Sequence, residues 1–533
     1  MRSLNHDNET YDVIVVGAGH NGLIAAAYLA QAGRRVLVLE KRHVLGGAAV
    51  SEELYPGFTF SVASYVVSLF RPHIVRELDL VRHGYSVIPM DCAFQPLPDG
   101  DSLARWADPD RTRKEIARFS RQDAEVYPEF SRVMTRMAQF TKDIIDRPAP
   151  DVLSLRLTDL VSTARLAKHF LDLGPGLFDL KLKLLTLSAA DFLDLWFESE
   201  VLKGPLSASG IIGTFKGVRS PGTAYVLLHH YMGEIDGAFR SWGFAKGGTG
   251  GVSMACARAA QSYGADIRTS SPVASVMVRG GRARGVTLES GEQIDADLVV
   301  SNLDPKRTLL SLVGEEYLPI EDVRRLRRYK YRGSSGKVNL ALDRTPEFKC
   351  RPGSGDHIRG DIAIAPDVTY LERAYDDAKY GDFSRRPFIN AVIPSLTDPS
   401  VAPPGKHVLS CFVQYAPYHH RDGADTWPDR REAFGKIVID TLEEYVPGLR
   451  DSILYKQVLT PWDLEEQMGL TEGNIFHGEL SLEQLLFQRP APGMARYQTP
   501  VHNLWMCGSG THPGGGIMGS GGEQAAKAIL KTR

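Results

Sequence analysis

Three glycines near the amino terminus have the spacing of a turn that holds a diphosphate. Gly17, Gly19 and Gly22 belong to the motif GAGHNG, which follows a short apolar run and precedes a stretch rich in alanine and leucine. In such a strand–turn–helix unit, the glycines permit a tight turn, a close approach of the backbone to the ligand, and close helix packing. The helix N-terminus also attracts negative charge. The motif, with His20 and Asn21 at its variable positions, predicts a dinucleotide site.

A carboxylate occupies the position where the ribose of a dinucleotide is expected. A second apolar run, from 35 to 39, ends on Glu40, and the interval from the glycines is close to the roughly 20 residues typical of this motif. A carboxylate there accepts hydrogen bonds from the ribose and repels a 2′-phosphate. A second glycine pair, Gly46 and Gly47, follows shortly afterwards and predicts a loop that passes close to the same ligand.

The carboxyl end of the chain has another glycine-rich turn. A short apolar run at 503–507 leads into GSGTHPGGGIMGSGG, and residues 523–531 then have the pattern of a helix. Glycine loses more conformational freedom on folding than any other residue. Close approach of the backbone to a ligand therefore explains so many glycines better than the alternative, a flexible terminal loop.

The elements that position these motifs follow from the hydrophobic periodicity. Both ends of the chain have the pattern strand, turn, helix, whereas residues 71–239 are mainly helical in pattern and 306–489 alternate between strands and helices. We predict an α/β fold with a discontinuous Rossmann-like dinucleotide-binding domain and an inserted α+β substrate-binding domain. The first comprises residues 1–70, 240–305 and 490–533, and the second comprises 71–239 and 306–489.

Composition excludes several classes of function. The 533 residues exceed the size of one hydrophobic core, and 62 basic against 64 acidic residues give a net charge of −2, which disfavours nucleic-acid binding. The amino terminus has no targeting pattern, and no apolar run approaches the roughly 18 residues of a membrane span. We therefore expect a cytoplasmic protein. No metal site is predicted, because the histidines lack partners at ligand spacing.

The cysteines limit the redox chemistry that the chain can perform. All five, at 92, 256, 350, 411 and 507, are scattered without a CxxC pair, which is typical of reduced thiols. Only one dinucleotide fingerprint is present. We therefore expect neither a dithiol relay nor a second nicotinamide site, and we expect NADH and NADPH to reduce a bound flavin slowly.

Together these motifs resemble a known family. The fingerprint, the Leu-Gly-Gly loop, the block GADIRTSSPVASVMVRGGRARGVTLESGEQIDADLVVSNLDP and the final turn are similar to the phytoene desaturase and carotenoid isomerase branch of FAD-dependent amine-oxidase-like flavoproteins. The stretches SPGTAYVLLHHYMGE and GNIFHGELSLEQLLFQRP look most like the group named pyridine nucleotide-disulphide oxidoreductase domain-containing protein 2. The resemblance spans the chain and implies FAD bound in an extended pose.

The resemblance also implies which residues hold FAD. The fingerprint would lie at the diphosphate and Glu40 at the adenosine ribose. The other residues implied to contact FAD are Lys41, Gly46, Gly47, Ala48, Val273, Gly508, Ser509, Gly516, Ile517 and Met518.

Candidate catalytic residues are histidines in the inserted domain. Histidine is the side chain best suited to take a proton near neutral pH, which makes His229, His230 and His477 candidates. Tyr231 and Arg489 are candidates for orienting a substrate. For each of the five, the alternative is a purely structural role.

These observations leave three hypotheses for function. The first is an enzyme that dehydrogenates or desaturates an apolar organic substrate by hydride transfer to FAD, with oxygen, a quinone or another acceptor taking the electrons. The second is a redox-neutral polyene isomerase that uses reduced FAD, and the third is a flavin-binding interaction protein. The leucine-rich region 153–196, with Arg156, Arg165 and Lys168, and the basic run 324–332 also suggest peripheral membrane contact; the alternative is solvated helix faces.

Overall fold

The computed structural model describes residues 11–152, 154–155, 157–235, 237–239 and 241–532. The strands are, in chain order, β1 Tyr11–Val16, β2 Val36–Leu39, β3 Ser51–Tyr55, β4 Phe58–Ser61, β5 Val87–Pro89, β6 Cys92–Pro96, β7 Ser102–Trp106, β8 Glu234–Ile235, β9 Ala238–Phe239, β10 Gly243–Ala245, β11 Asp266–Arg268, β12 Val273–Arg279, β13 Arg282–Leu288, β14 Gln293–Ser301, β15 Ser335–Leu342, β16 Asp361–Ile364, β17 Phe388–Val392, β18 His407–Gln414, β19 Ile453–Leu459 and β20 Leu504–Met506. The helices are α1 His20–Gln31, α2 Pro72–Glu77, α3 Pro109–Ile116, α4 Arg121–Ile145, α5 Leu157–Leu171, α6 Pro175–Thr186, α7 Ala189–Asp194, α8 Glu200–Ala208, α9 Thr223–His230, α10 Gly250–Ser262, α11 Ile320–Arg328, α12 Val368–Lys379, α13 Trp427–Glu443, α14 Pro461–Met468 and α15 Ser520–Lys531, with a π-helical segment at Lys306–Val313.

The first sheet is built around a parallel core in the order β11-β2-β1-β14-β20. Its central strands are short runs of valine, isoleucine and leucine, as expected for parallel strands that are buried on both faces. The antiparallel hairpin β12–β13 extends the sheet from the first half of β14. This is the Rossmann-like arrangement that the glycine motifs predict.

Helix α1 packs between the sheet and two other helices, α10 and α15. Its alanines are buried, and small side chains let the three helices approach closely. The approach is closest where α15 crosses α1, because a Cβ atom on Gly522 would lie 2.2 Å from the backbone oxygen of Asn21. The two glycine turns at the opposite ends of the chain are thereby brought together.

The second sheet has the order β19-β15-β18-β17-β16-β6-β7 and is antiparallel except at β16 and β6. Helices α4 and α6 to α9 form a separate layer with its own buried core, and α5 packs on its outside against α4 and α6. The interpretation of 71–239 as mainly helical was wrong at 87–106, where β5, β6 and β7 lie. The strands of the first sheet lie at 11–39, 266–301 and 504–506, in the segments predicted for the dinucleotide domain; the domain division itself stays a prediction.

Candidate active site

Four parallel strands of the first sheet end at one edge. β1 leads into Gly17, β2 into Glu40, β14 into Asn302 and β20 into Cys507. Parallel strands place their carboxyl ends together, so residues that are distant in sequence meet in front of the N-terminus of α1. This crevice is where ligands bind in open α/β sheets.

The fingerprint glycines lie where a side chain has no room. Gly17 has a φ of +93°, which favours glycine. A Cβ atom on Gly19 would lie 2.6 Å from the side-chain nitrogen of Asn302, and one on Gly22 would lie 2.3 Å from the backbone oxygen of Gly17. The turn therefore keeps a bare backbone at the mouth of α1, as diphosphate binding requires.

The Glu40 carboxylate is fixed by backbone donors. Its two oxygens accept hydrogen bonds from the N–H groups of Ala18, at 2.8 Å, and Arg42, at 3.0 Å. The side chain is 7 % exposed and forms part of the crevice wall. Glu40 therefore stabilises the fingerprint turn and still presents a negative charge to the cavity.

The Leu-Gly-Gly loop packs directly on the fingerprint. Gly46 and Gly19 form a β-bridge, and the Gly46 N–H donates to the carbonyl of Ala18 at 2.9 Å. Gly46, Gly47 and Ala48 all line the crevice. The two glycine motifs therefore form adjoining parts of one wall of the crevice.

The carboxyl-terminal turn closes the crevice from the other side. Asn21 joins the two turns, because its side-chain nitrogen donates to the Ser509 hydroxyl at 3.3 Å. Ser509, Gly516 and Ile517 line the cavity, whereas Gly508 and Met518 lie behind them. A Cβ atom on Gly508 would lie 2.4 Å from the Asn302 carbonyl oxygen, so this glycine permits close packing beneath the wall.

One elongated cavity of about 640 Å³ connects these parts. Its first end is polar and includes Glu40, Lys41, Arg42, Val273, Glu289 and Arg307. Its far end, which lies between the two sheets, is apolar and aromatic and includes Tyr65, Ile212, His230, Trp242, Phe412 and Phe476. The cavity thus joins a site suited to a dinucleotide to a chamber suited to an apolar molecule.

Two buried imidazole nitrogens support the fit of FAD to this channel. His20 Nε2 and His477 Nδ1 both belong to cavity residues, and neither has a hydrogen-bond partner within the described part of the chain. Burial, with a smaller contribution from His477, lowers the pKa of His20 to about 4. Burial also lowers the pKa of His477, although Asp304 partly opposes this. The phosphates and hydroxyl groups of FAD would supply partners for both nitrogens.

The three candidate histidines occupy different environments. His230 lines the apolar end, its Nδ1 lies 2.9 Å from the Val226 carbonyl, and burial lowers its pKa to about 4. His477 lies nearer the fingerprint, beside His20. His229 is buried behind the Gly516 turn and does not line the cavity. The apolar chamber therefore contains His230 alone among the three.

The two residues expected to orient a substrate lie outside the cavity. Tyr231 packs in the helical core against Phe130, with ring centroids 6.2 Å apart. Arg489 is fully buried, and its guanidinium donates to six backbone carbonyl groups, those of Phe476, Gly478, Glu479, Gln484, Ser509 and Thr511. Arg489 therefore ties the 476–484 loop to the carboxyl-terminal turn.

Several cavity residues were missed by the sequence interpretation. Asn302 could have been found, because it directly follows a buried parallel strand at the same edge as the fingerprint. Tyr65, Trp242 and Phe412 come from three separate segments, and no local pattern distinguishes them from core aromatics.

The described residues contain no group of three metal-ligating side chains, and the five cysteines are free, with four of them buried. Within the same residues, no helix is both long and apolar enough to cross a membrane.

Comparisons with known proteins match this architecture. Residues 15–79 match the NAD(P)-binding Rossmann-like domain, and residues 99–530 match the flavin-containing amine oxidoreductase family. The chain is 40 % identical to the pyridine nucleotide-disulfide oxidoreductase domain-containing protein 2 of Rattus norvegicus, over 98 % of this chain and 93 % of the rat protein.

More distant relatives have names that indicate their reactions. A limonene dehydrogenase component of Castellaniella defragrans is 26 % identical over 98 % of this chain and 94 % of its own. Prolycopene isomerase 2 of an Oncidium hybrid is 25 % identical over 96 % of this chain and 82 % of its own. Among solved structures, cyclohexylamine oxidase of Brevibacterium oxydans has a TM-score of 0.59 at 18 % identity, covering 98 % of this chain and 99 % of that one, which supports the fold.

Proposed function

The chain belongs to the family of flavin-containing amine oxidoreductases, and we propose that within this family it dehydrogenates or desaturates an apolar organic substrate. It is an FAD-dependent oxidoreductase, and bound FAD supplies the hydride acceptor. The observation that carries the proposal is the composition of the far end of the cavity.

The positions of the acidic residues in the cavity favour an uncharged substrate. Among the described residues that line it, the only acidic ones are Glu40 and Glu289, both at the polar end. An ammonium group placed in the aromatic chamber would therefore lose its hydration without gaining a carboxylate partner. Tyr65, Trp242 and Phe412 instead offer apolar contact area.

In the reaction that we propose, this chain orients the substrate and receives a proton. The aromatic walls would hold the reacting C–H bond of the substrate, and FAD, when bound, would supply the acceptor for the hydride. When a double bond forms, the neutral imidazole of His230 accepts the accompanying proton. Its low pKa keeps it unprotonated at neutral pH, and its hydrogen bond to Val226 fixes the ring. Oxygen, a quinone or another acceptor would take up the two electrons.

Anaerobic bleaching of the flavin band tests this function. The FAD-loaded protein is mixed with limonene, cyclohexylamine, NADH or NADPH in a stopped-flow instrument. We expect an apolar hydrocarbon to bleach the flavin in a saturable manner, and the amine and both nicotinamides to react slowly, because none of these three is held near the flavin. Rapid, saturable bleaching by cyclohexylamine or by either nicotinamide would overturn the proposal.

The similarity to prolycopene isomerase favours a second candidate, a redox-neutral isomerisation with reduced FAD. Untargeted profiling of cell extracts incubated with the protein separates the two. Dehydrogenation produces a product lighter by two hydrogens, whereas isomerisation leaves the mass unchanged and needs the reduced protein.

A further inference from the structure

The surface of helices α5 and α6 is unusually apolar. Eight of the sixteen exposed large hydrophobic side chains in the described part of the chain lie between 152 and 182. Leu155, Leu157 and Leu171 are 88 %, 77 % and 75 % exposed, and Phe178 and Leu182 extend the patch onto α6. We name this patch, with the exposed side chains of 152–182, the α5–α6 face. Exposed apolar surface of this density marks an interaction site.

Polar anchors on the inner side fix the orientation of the two helices. On α5, Asp159 is buried in an ion pair with Arg496, and the His169 ring stacks on Phe140 with centroids 4.2 Å apart. On α6, the buried Lys181 ammonium donates to a threonine hydroxyl at 2.6 Å. A surface helix ordinarily turns its apolar stripe inward. Here polar groups lie on the inner side of α5 and its leucines at 157, 160 and 171 are exposed, whereas α6 buries Leu184 and exposes Leu182.

The charges around the α5–α6 face have a small excess of cations. Lys168 and Lys183 each pair with an aspartate one turn away, at 2.7 and 2.8 Å. Arg147 and Arg165 are exposed, and no carboxylate among the described residues lies within ion-pair distance of either. Arg156 and Leu153 lie outside the described residues. Among the described residues from 147 to 183, the exposed or half-buried cations, at 147, 165, 168 and 183, outnumber the exposed or half-buried carboxylates, at 151, 172 and 179, by one, on a chain whose net charge is −2.

The other basic segment is mostly neutralised. Three of the four arginines of α11, at 324, 325 and 327, pair with Glu321, Asp322 and Glu315, whereas Arg328 is exposed.

The α5–α6 face is also connected to the substrate chamber. Leu185, on the last turn of α6, packs against the cluster that contains Tyr225, Phe476 and Leu480. Phe476 in turn lines the apolar end of the cavity. This hydrophobic cluster therefore links the end of α6 to the wall of the chamber that we propose for an apolar substrate.

We propose that the α5–α6 face docks on the surface of a bilayer that contains anionic phospholipid, with the leucines in the interfacial layer and the arginines at the headgroups. The proposal rests on the proposed function in one respect, since an apolar substrate is concentrated in lipid. A second copy of the chain is a poorer occupant. In a symmetric dimer the same patch faces itself, which would bring the unpaired arginines of the two copies together. A bilayer pairs these cations with phosphates and accommodates protruding leucines at any position.

Flotation with vesicles tests the proposal without requiring turnover. The full-length, FAD-loaded protein is mixed with vesicles of phosphatidylcholine alone or of phosphatidylcholine with phosphatidylglycerol. We expect it to float with the mixed vesicles, and Leu157→Glu and Leu171→Glu to reduce the bound fraction by about tenfold. Arg165→Gln is expected to weaken binding about fivefold, and only to the anionic vesicles.

The control is Ile320→Glu, which replaces another exposed apolar residue, 63 % exposed, at the start of α11. This substitution adds the same charge as the leucine substitutions, and the variant protein should bind the vesicles as the native protein does. Flavin absorbance and thermal midpoint identify any variant that fails to fold. Three results would overturn the proposal: no flotation of the native protein, an equal loss in the control, or a native dimer that Leu157→Glu converts to monomers without any vesicle binding. Because no substrate is present, failure here leaves the proposed oxidation untouched, and failure of the bleaching assay leaves the flotation result intact.

Discussion

The two ends of the cavity are built in different ways. At the cofactor end, contacts come mainly from backbone: Gly17, Gly19 and Gly46 bring bare chain to the channel, and Glu40 is itself held by two N–H groups. At the substrate end, the walls are side chains such as Phe412 and Trp242, from strands and loops far apart in sequence. A site built from close-packed backbone has no room for an added side-chain atom. A chamber built from side chains can be altered by substituting one wall residue at a time. The family can thus keep one cofactor while its substrates differ.

Of the substitutions that test this difference between the two ends, loss of the Arg489 guanidinium should have the largest effect, on stability. Arg489 joins the 476–484 loop to the carboxyl-terminal turn. Arg489→Met leaves six carbonyl groups without their donor, so we expect the free energy of unfolding to fall by about 3 kcal/mol or more. Urea unfolding measures this loss. Arg489→Lys restores some donors and should recover part of the lost stability. A methionine variant as stable as the native protein would show that the hydrogen bonds of Arg489 are not needed to hold the loop and the turn together.

The next largest effect should come from one methyl group at the cofactor end. In Gly22→Ala the Cβ would lie 2.3 Å from the Gly17 carbonyl oxygen, so the turn must shift and FAD affinity should fall by about a hundredfold or more. Titration of the apoprotein with FAD, followed by flavin fluorescence, gives the dissociation constant. Gly176→Ala is the matched control, since nothing lies within 4 Å of its Cβ and its backbone is helical. Native affinity in Gly22→Ala would contradict a backbone-built site.

Replacement of the Glu40 carboxylate tests the ribose end. Glu40→Gln removes the charge and turns an amide donor toward a backbone N–H, so FAD affinity should fall about tenfold, as expected for a charge-assisted hydrogen bond worth about 1.5–3 kcal/mol. Glu289→Gln changes the other acidic residue of the cavity, which is exposed, and should alter affinity by less than about twofold. Equal effects of the two substitutions would mean that general charge, and not a fixed carboxylate, binds the cofactor.

The smallest effect is a pH dependence at the substrate end. The pKa of His230 is about 4 in the folded protein, below its ordinary value of 6.5, because the imidazole is buried. Between about pH 6.5 and pH 4, His230 binds a proton in the unfolded chain but not in the native protein. The free energy of unfolding therefore falls as the pH drops through this range. Between pH 7.5 and 5.5, His230 should account for about 1.4 kcal/mol of this loss.

His230→Gln lacks that contribution, so its unfolding free energy should decline less steeply with acidification, as urea titrations at the two pH values would reveal. FAD affinity should be unchanged, because His230 lies in the apolar chamber. If the unfolding free energies of the two proteins depended on pH in the same way, His230 would not be a buried neutral imidazole. A loss of FAD affinity in the variant would show that His230 also contributes to the cofactor end.

Local patterns explain how much of this protein was predictable. The glycine motifs, Glu40 and the parallel strands were found from the sequence because each depends on neighbours within a few residues: a tight turn, a helix N-terminus, a strand end. Strands β6 and β7 were missed because their pattern is short and because β6 joins the second sheet by pairing with β16, more than two hundred residues away in the chain, while β7 joins it only through β6. Arg489 was expected at the substrate, since a sequence cannot tell a cation that faces a ligand from one that faces backbone carbonyls.

The amino-acid sequence by itself therefore determined the Rossmann-like cofactor fold, since steric limits at glycines and burial of β-branched strands act locally. Tertiary structure alone decided the candidate site beyond the fingerprint. It brought Asn302 and Ser509 to the first turn, placed His230 in the chamber and His229 behind its wall, and turned the leucines of α5 outward. These outcomes depend on which distant surfaces pack together, and a side chain's partners across the fold have no signature in its immediate neighbours.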